Sequence, residues 1–391
     1  MVKKVGMEIS VAIGEVVKRV NADVIAAYPI TPQTHIVEHL AELVAEGELD
    51  AAFIPVESEH SAMSACLGAA AVGARTFTAS AGQGLELMHE VLYVASSMRL
   101  PIVMAVTNRA LSAPLSVWGD HSDAMAVRDT GWIQIFTENG QEVVDNVLCA
   151  FRIGEDPRVL LPVMVHLDGF HLSHMIEPIL LPEPSQVAKF LPENKYPLPL
   201  DPSRPVTMGD FGPPVIYSEA KKAQEVNLRA AKEVVLECWN EFARIFKHSY
   251  HPVECYRSED AKVLLLAMGS FCETAMVAVD KMRGEGKAVG LLRLRLWRPF
   301  PFEEIRKAAQ AAEVLIVLDR AISFGGPGGP VCSEVRSALY PLDKRPKVIG
   351  FVGGLGGRDI TPDGFEAIIS RGIEIAKKGS KEEFEIFGVR E

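Results

Sequence analysis

Ala26-Ala27-Tyr28-Pro29-Ile30-Thr31-Pro32 closes an apolar run that begins at Val24, and it places a threonine between two prolines. Pro32 supplies no backbone N–H and holds Thr31 in extended geometry. The pattern therefore predicts a strand over 24–30 with a helix after it. Thr31 falls at the carboxyl end of a buried parallel strand, where open α/β sheets gather their ligands.

Outward from this turn, β-rich runs alternate with helical patterns as far as about Val165. Residues 24–30, 52–56, 76–79, 102–107, 133–137 and 163–167 read as strands, and 34–46, 61–71, 85–98 and 141–153 as helices. The segment 34–46 sets Ile36, Leu40, Leu43 and Val44 on one face, a helical period. Such alternation predicts βαβ units around a parallel sheet. Ser58 to Ala74 is crowded with Ala, Ser and Gly, as expected where a helix comes close to a sheet or a cofactor. Tyr196 to Pro214 is proline-rich and aperiodic, an extended linker. A long amphipathic helix over 218–246 follows, whose charge-laced face fits an exposed strut, a partner contact or an ordinary solvated surface. From Lys262 a second alternation begins, with strands at 263–267, 288–292, 314–318 and 348–351. The expected division is an α/β domain over 1–195, a linker and long helix over 196–258, and a smaller α/β domain over 259–391.

Composition narrows the function classes. A chain of 391 residues is long for one core and fits two domains. Its 48% hydrophobic and 23% charged residues are ordinary for a soluble globular protein. A net charge of −11 argues against nucleic-acid binding, which needs clustered Lys and Arg, and suits a cytoplasmic enzyme that meets basic docking patches. The start, Met1 to Glu8, has no apolar core of signal-peptide length, and no apolar run reaches the roughly 18 residues of a membrane span. The six cysteines (Cys66, Cys149, Cys238, Cys255, Cys272, Cys332) are scattered without a C-x-x-C, so the usual spacing for zinc or an iron–sulfur cluster is missing. They read as buried and reduced. If electrons pass through clusters, another chain holds them. No Walker-type loop occurs, and the proline-broken Gly325-Gly326-Pro327-Gly328-Gly329 reads as a tight strand–helix connection.

Several residues stand where chemistry is expected. Glu59 lies past the strand 52–56 in the first turn of the Ala-rich helix, a place that also favours an acid through the helix dipole; Glu57 competes with it. Arg109 follows the strand 102–107, at a second carboxyl end. A guanidinium fork there could grip a carboxylate, and the Thr31 hydroxyl could stabilise a developing alkoxide. The loop from Ser112 to Asp123 carries Pro114, Trp118, Gly119, Asp120, His121 and Asp123. A glycine beside an Asp-His pair suits a mobile lid that excludes water. His121 and Asp123 lack a third ligand at useful spacing, so no metal site is expected.

Beyond Tyr28-Pro29-Ile30-Thr31-Pro32, further blocks follow in order: Val56-Glu57-Ser58-Glu59-His60-Ser61-Ala62, Thr107-Asn108-Arg109-Ala110-Leu111, Trp118-Gly119-Asp120-His121-Ser122-Asp123 and Asp168-Gly169-Phe170. Arg298-Pro299-Phe300-Pro301, Leu318-Asp319-Arg320 and Gly354-Leu355-Gly356-Gly357-Arg358-Asp359 complete the set. Over nearly its whole length the chain resembles the α subunit of 2-oxoacid:ferredoxin oxidoreductases, pyruvate:ferredoxin oxidoreductase above all. The resemblance implies a thiamine diphosphate-binding domain of the pyrimidine type, followed by a transketolase C-terminal-like domain. It assigns Glu59, by register, to the pyrimidine ring nitrogen, with Pro29 and Ile30 beside the cofactor. Thr31 and Arg109 would orient the 2-oxoacid, and Trp118, Asp120, His121 and Asp123 would form a loop beside the active site. Complete thiamine enzymes carry a Gly-Asp-Gly followed by an Asn for the metal and diphosphate. Here Gly119-Asp120 runs into His121, and Gly209-Asp210 into Phe211. The cofactor would therefore be shared. A β subunit would supply the diphosphate site, Mg²⁺ and a cluster, a δ subunit further [4Fe-4S] clusters, and a γ subunit would complete the complex. Coenzyme A would accept the acyl group and ferredoxin the electrons. The rivals are the 2-oxoisovalerate enzyme and a non-catalytic scaffold; an oxalate enzyme fits less well, since the threonine replaced in that relative is kept as Thr31.

Overall fold

The computed structural model describes residues 4–390, so Met1 to Lys3 of the opening segment, and Glu391, lie outside the described residues. The first half of the chain runs β1 (Lys4–Glu8), α1 (Ile9–Val20), β2 (Val24–Ala27), α2 (Thr34–Ala45), β3 (Ala52–Pro55), α3 (Glu59–Ala71), β4 (Thr76–Ser80), α4 (Gly82–Leu87), α5 (His89–Ser97), β5 (Ile102–Asn108), α6 (Ser122–Ala126), β6 (Ile133–Phe136), α7 (Gly140–Gly154), β7 (Val163–Asp168), β8 (Ile176–Leu180) and α8 (Pro184–Phe190). After a linker comes α9 (Pro214–Phe246). The second half runs β9 (Val253–Tyr256), β10 (Val263–Ala267), α10 (Phe271–Gly284), β11 (Val289–Leu294), β12 (Leu296–Arg298), α11 (Phe302–Ala309), β13 (Val314–Asp319), α12 (Pro330–Leu339), β14 (Lys347–Val352), α13 (Pro362–Lys378) and β15 (Phe384–Ile386).

Two α/β layers result. The first sheet has the order β12-β6-β7-β5-β4-β2-β3 and is parallel except where β12 pairs antiparallel with β6. The second has the order β15-β14-β13-β10-β11-β9, parallel except for β9. Each sheet is buried on both faces, and the central strands are accordingly near-continuous apolar runs. One core on the first sheet joins α1, α2, α7 and the C-terminal part of α9, and the other joins α3, α4 and α5. The second sheet is likewise flanked by two cores.

Several predicted bounds shift for local reasons. The strand over 24–30 ends at Ala27, since Pro29 has no N–H to give a neighbouring strand. The helix over 85–98 is two helices, α4 and α5, with Met88 at φ −91°, ψ 4° between them. The long helix begins at Pro214, whose fixed φ suits the first turn. It buries Ala231, Val234, Val235, Cys238, Trp239 and Phe242, while its N-terminal half stays largely exposed. Five strands had no expectation behind them: β1 and β8, which pair with each other, and the edge strands β9, β12 and β15. Five of the six cysteines are buried, Cys255 being the exposed one, and burial pushes the Cys66 thiol up to about 12. No helix among the described residues is long and apolar enough to cross a membrane.

Candidate active site

β3 lies on one side of β2 and β4 on the other, so the chain reverses its direction of travel across the sheet at β2. A crevice opens at the carboxyl ends of strands where this happens. Thr31 follows β2, Glu59 follows β3, Gly82 begins α4 directly after β4, and Arg109 follows β5. Four strand ends thus each bring a residue to one place.

The first turn of α4 organises the crevice. A Cβ added at Gly84 would come within 2.7 Å of Glu59 Cδ, and one added at Gly82 within 3.0 Å of Arg109 Cδ. The carboxylate and the guanidinium stem therefore lie on the same short turn, two residues apart. Glu59 is 5% exposed, and among the described residues its carboxylate receives no hydrogen bond. Ser58 caps α3 by accepting from the Ser61 N–H at 3.2 Å. Glu57, the competing acid, is exposed and accepts a hydrogen bond from the Ser61 hydroxyl, which holds its carboxyl below the usual range. The two acids are thus separated by environment. Glu57 braces a helix end in solvent, and Glu59 is buried at the crevice.

Arg109 is buried and spans the opening. Its Nη1 donates to the Thr31 carbonyl at 3.0 Å and its Nε to the Ser116 carbonyl at 2.9 Å. Nη2 has no partner among the described residues. Thr31 itself is exposed, as is Pro29, while Ile30 is half-buried. The turn that carries them is fixed from below by Gln33, which is fully buried and donates to the carbonyls of Tyr28 (2.9 Å) and Ala79 (3.0 Å). Gly169 closes the floor, because a Cβ there would meet Pro32 Cγ at 2.7 Å. Gln33, Gly82 and Gly84 were not anticipated. The Gly-Gln-Gly after an apolar strand was the available signal for the last two.

The segment from Ser112 to Asp123 departs from the expected mobile lid. Leu115 and Trp118 are 74% and 52% exposed, but Asp120, His121 and Asp123 are buried fasteners. Asp123 accepts from the N–H groups of Gly82 (3.0 Å), Arg109 (2.9 Å) and Ala124 (2.7 Å) and from Asn108 Nδ2 (2.9 Å). It ties the start of α4 to the end of β5. Burial pushes its carboxyl up to about 7, against these donors. Asp120 accepts from the Ser122 N–H (2.9 Å) and hydroxyl (2.6 Å) and from the Gly356 N–H (2.9 Å), reaching the second sheet's loops. His121 Nε2 lies 3.0 Å from Asp168 Oδ1, and the His121 backbone N–H donates to the Arg320 carbonyl at 2.8 Å. Arg320 pairs with Asp168 and donates to the Gly119 carbonyl at 2.9 Å. The Ser270 N–H (2.8 Å) and hydroxyl (2.6 Å) complete the Asp168 shell. A lid needs a free hinge; here the C-terminal half of the segment is clamped between the two sheets. Trp118 packs on Phe170 at 4.8 Å and remains the exposed member at the crevice.

The arrangement combines a buried carboxylate with no partner, a glycine against which it packs, and a cationic fork with a spare edge. Such a site can hold a proton opposite a ring nitrogen and orient an anion beside it. Residues 15–239 match the family described as pyruvate flavodoxin/ferredoxin oxidoreductase, thiamine diphosphate-binding, and residues 261–365 match pyruvate:ferredoxin oxidoreductase core domain II. The chain belongs to the pyruvate:ferredoxin oxidoreductase family. It is 52% identical over 375 residues to pyruvate synthase subunit PorA of Methanocaldococcus jannaschii, covering 94% of each chain. It is 48% identical to the Thermotoga maritima protein of the same name, covering 93% of each, and 43% identical to ketoisovalerate oxidoreductase subunit VorA of Pyrococcus horikoshii, covering 92% of this chain and 91% of that one. In fold, it resembles a 2-oxoglutarate:ferredoxin oxidoreductase from Magnetococcus marinus (TM-score 0.71, 19% identity), covering 95% of this chain and 65% of that one. A split-gene transketolase shares the fold more distantly (TM-score 0.55, 13% identity), with 95% of this chain and all of that one covered.

Proposed function

We propose that this chain is the α subunit of a cytoplasmic, thiamine diphosphate-dependent pyruvate:ferredoxin oxidoreductase. The complex would convert pyruvate and coenzyme A reversibly to acetyl-CoA and CO₂, passing electrons singly to ferredoxin. The observation that carries this reading is the unpartnered Glu59 carboxylate against Gly84, one turn from Arg109. Relatives named pyruvate synthase at about half identity support the substrate.

The residues present fit the pyrimidine half of the cofactor. Gly84 lets the Glu59 carboxyl group pack against the first turn of α4, where a Cβ would come within 2.7 Å of its Cδ, and among the described residues no donor of this chain meets that carboxylate. Bound thiamine diphosphate supplies the nucleophilic carbon and the electron sink for decarboxylation. Glu59, buried to 5% exposure, would hold the pyrimidine ring nitrogen by sharing a proton at its carboxyl. Pro29 and Ile30 would border the ring. Arg109 turns its spare edge to the substrate carboxylate, while the Thr31 hydroxyl donates to the oxygen on which charge develops. The metal and diphosphate half belongs to a β subunit with Mg²⁺ and a cluster, the remaining [4Fe-4S] clusters to a δ subunit, and a γ subunit completes the assembly. The chain divides into the cofactor-binding domain over 1–195, a linker and long helix over 196–258, and the second α/β domain over 259–391.

The test is acyl-CoA formation by the reconstituted complex with pyruvate, 2-oxoisovalerate and 2-oxoglutarate. Pyruvate should give the highest kcat/KM; a tenfold preference for 2-oxoisovalerate would move the chain to the branched-chain enzyme. In the same assay Arg109→Ala removes a charge-assisted contact of about 1.5–3 kcal/mol, so KM for the 2-oxoacid should rise roughly ten- to hundredfold. Arg109→Lys should recover little, as an ammonium cannot copy a planar fork. Unchanged KM in Arg109→Ala would reduce the residue to a brace between Thr31 and Ser116.

A further inference from the structure

Arg109 is held from two directions, and only one of them is a strand end. Its Nη1 donates to the Thr31 carbonyl, but its Nε donates to the carbonyl of Ser116, in a segment without regular secondary structure. A long flexible stem leaves a guanidinium free to swing, so its aim is set by what its N–H groups hold. Whatever fixes Ser116 therefore helps to aim Arg109.

Ser116 lies in a loop that closes on itself beside Arg109. The Ala110 N–H donates to the Trp118 carbonyl at 3.0 Å, the Leu111 N–H to the Ser122 hydroxyl oxygen at 2.9 Å, and the Trp118 N–H to the Ser116 hydroxyl oxygen at 3.3 Å. Ser122 in turn donates to Asp120 Oδ1. From Asp120 the support passes to the second domain. Past the carboxyl end of β14, Gly354, Gly356 and Gly357 take φ values of 71°, 59° and 76°, a left-handed path that side chains disfavour. This path presents the Gly356 N–H to Asp120 Oδ2 at 2.9 Å. It also brings Gly357 so close to the loop that an added Cβ would meet Trp118 Cβ at 2.5 Å. The buried Asp120 thus sets one oxygen on the loop's own Ser122 and the other on the glycine turn. Glu59 stands outside this chain of contacts, since it packs on the first turn of α4.

We propose that Asp120 is a positioning residue for the 2-oxoacid. By fastening the loop to the glycine turn at 354–357, it sets the Ser116 carbonyl and, through it, the guanidinium of Arg109. The second domain thereby tunes substrate binding without touching substrate. This rests on reading Arg109 as the arm that binds the substrate carboxylate.

Asp120→Asn keeps the size of the side chain but turns an N–H group towards either the Gly356 N–H or the Ser122 N–H. In the reconstituted complex KM for pyruvate should rise roughly three- to tenfold, less than in Arg109→Ala. Exchange of the thiazolium C2 proton, which reports on Glu59, should stay at the wild-type rate. Arg293→Ala is the comparison. Arg293 pairs with the buried Glu138 across the same two domains and has no hydrogen bond to the loop. It should lower the melting temperature at least as far as Asp120→Asn does and leave KM unchanged. Unchanged KM in Asp120→Asn, or an equal rise in both variants, would make Asp120 a plain brace and overturn the proposal. A second readout needs no turnover. In the full chain labelled with ¹⁵N-arginine, the Arg109 Nε–H signal, identified by its loss in Arg109→Lys, should exchange with solvent about tenfold faster in Asp120→Asn. An unchanged exchange rate would also overturn the proposal. Faster exchange in a protein whose wild-type complex oxidises no 2-oxoacid would leave the aiming of Arg109 standing and bring down the functional reading.

Discussion

Glu59→Gln should leave the complex assembled and slow exchange of the cofactor's thiazolium C2 proton by roughly 10²–10⁴-fold, the range lost with a positioned acid–base group. Glutamine keeps the length and planarity of glutamate, so the contact with Gly84 and the first turn of α3 should persist. It cannot exchange a proton at its carbonyl oxygen, and that is the one property removed. Substrate KM should therefore change little, because Arg109 and Thr31 are untouched. Glu57→Gln is the matched comparison. That side chain is exposed and braces only Ser61, so exchange should proceed at the wild-type rate. Fast exchange in Glu59→Gln, or slow exchange in Glu57→Gln, would transfer the role to the other acid.

The second large effect concerns stability. Asp168→Ala should lower the unfolding free energy by about 3–5 kcal/mol, since it strands the buried Arg320 guanidinium without its counter-charge. His121 and Ser270 lose an acceptor in the same step. Adding Arg320→Met to Asp168→Ala should cost less than the sum of the two single changes, because no unpaired charge then remains. Against the burial that would raise it, Arg320, His121 and Ser270 hold the Asp168 carboxyl well below the usual range. Its contribution is therefore present above the ordinary carboxylate range and lost only as pH falls through the lowered value, so the penalty should be flat around neutrality. His121 is lowered as well: burial favours the neutral ring over the pull of Asp168, so acid below about 6.5 works against folding there. Denaturant titration across pH measures both. A loss under about 1 kcal/mol in Asp168→Ala would mean that water reaches this junction.

Much of this molecule was readable in order along the chain. The strand–turn pattern placed Thr31, Glu59 and Arg109 at three strand ends, because apolar runs and prolines act locally. Glu57 and Glu59 could not be separated that way: they are two residues apart, and only the start of α3 buries one and exposes the other. The lid reading of Asp120, His121 and Asp123 failed for a related reason. Gly356 and Arg320, the partners of Asp120 and His121, lie some 200 residues or more further on, and Asp123 ties two different strand ends at Gly82 and Arg109, pairs that no local pattern encodes. Gly82 and Gly84 were legible as a glycine pair after a strand, yet their purpose appears only once Arg109 and Glu59 pack on them.

One consequence follows from β12. Leu296–Arg298 leaves the second sheet directly after β11 and completes the edge of the first by pairing with β6. The chain therefore has two folding layers but no clean seam. A fragment cut within the linker before Pro214 would expose Ile133–Phe136, a fully buried apolar strand, as a bare edge open to pairing with any other chain. The other fragment would carry an orphan strand with no sheet to join. Exchanging modules between relatives would have to move this three-residue strand with the first sheet, although it is encoded in the middle of the second.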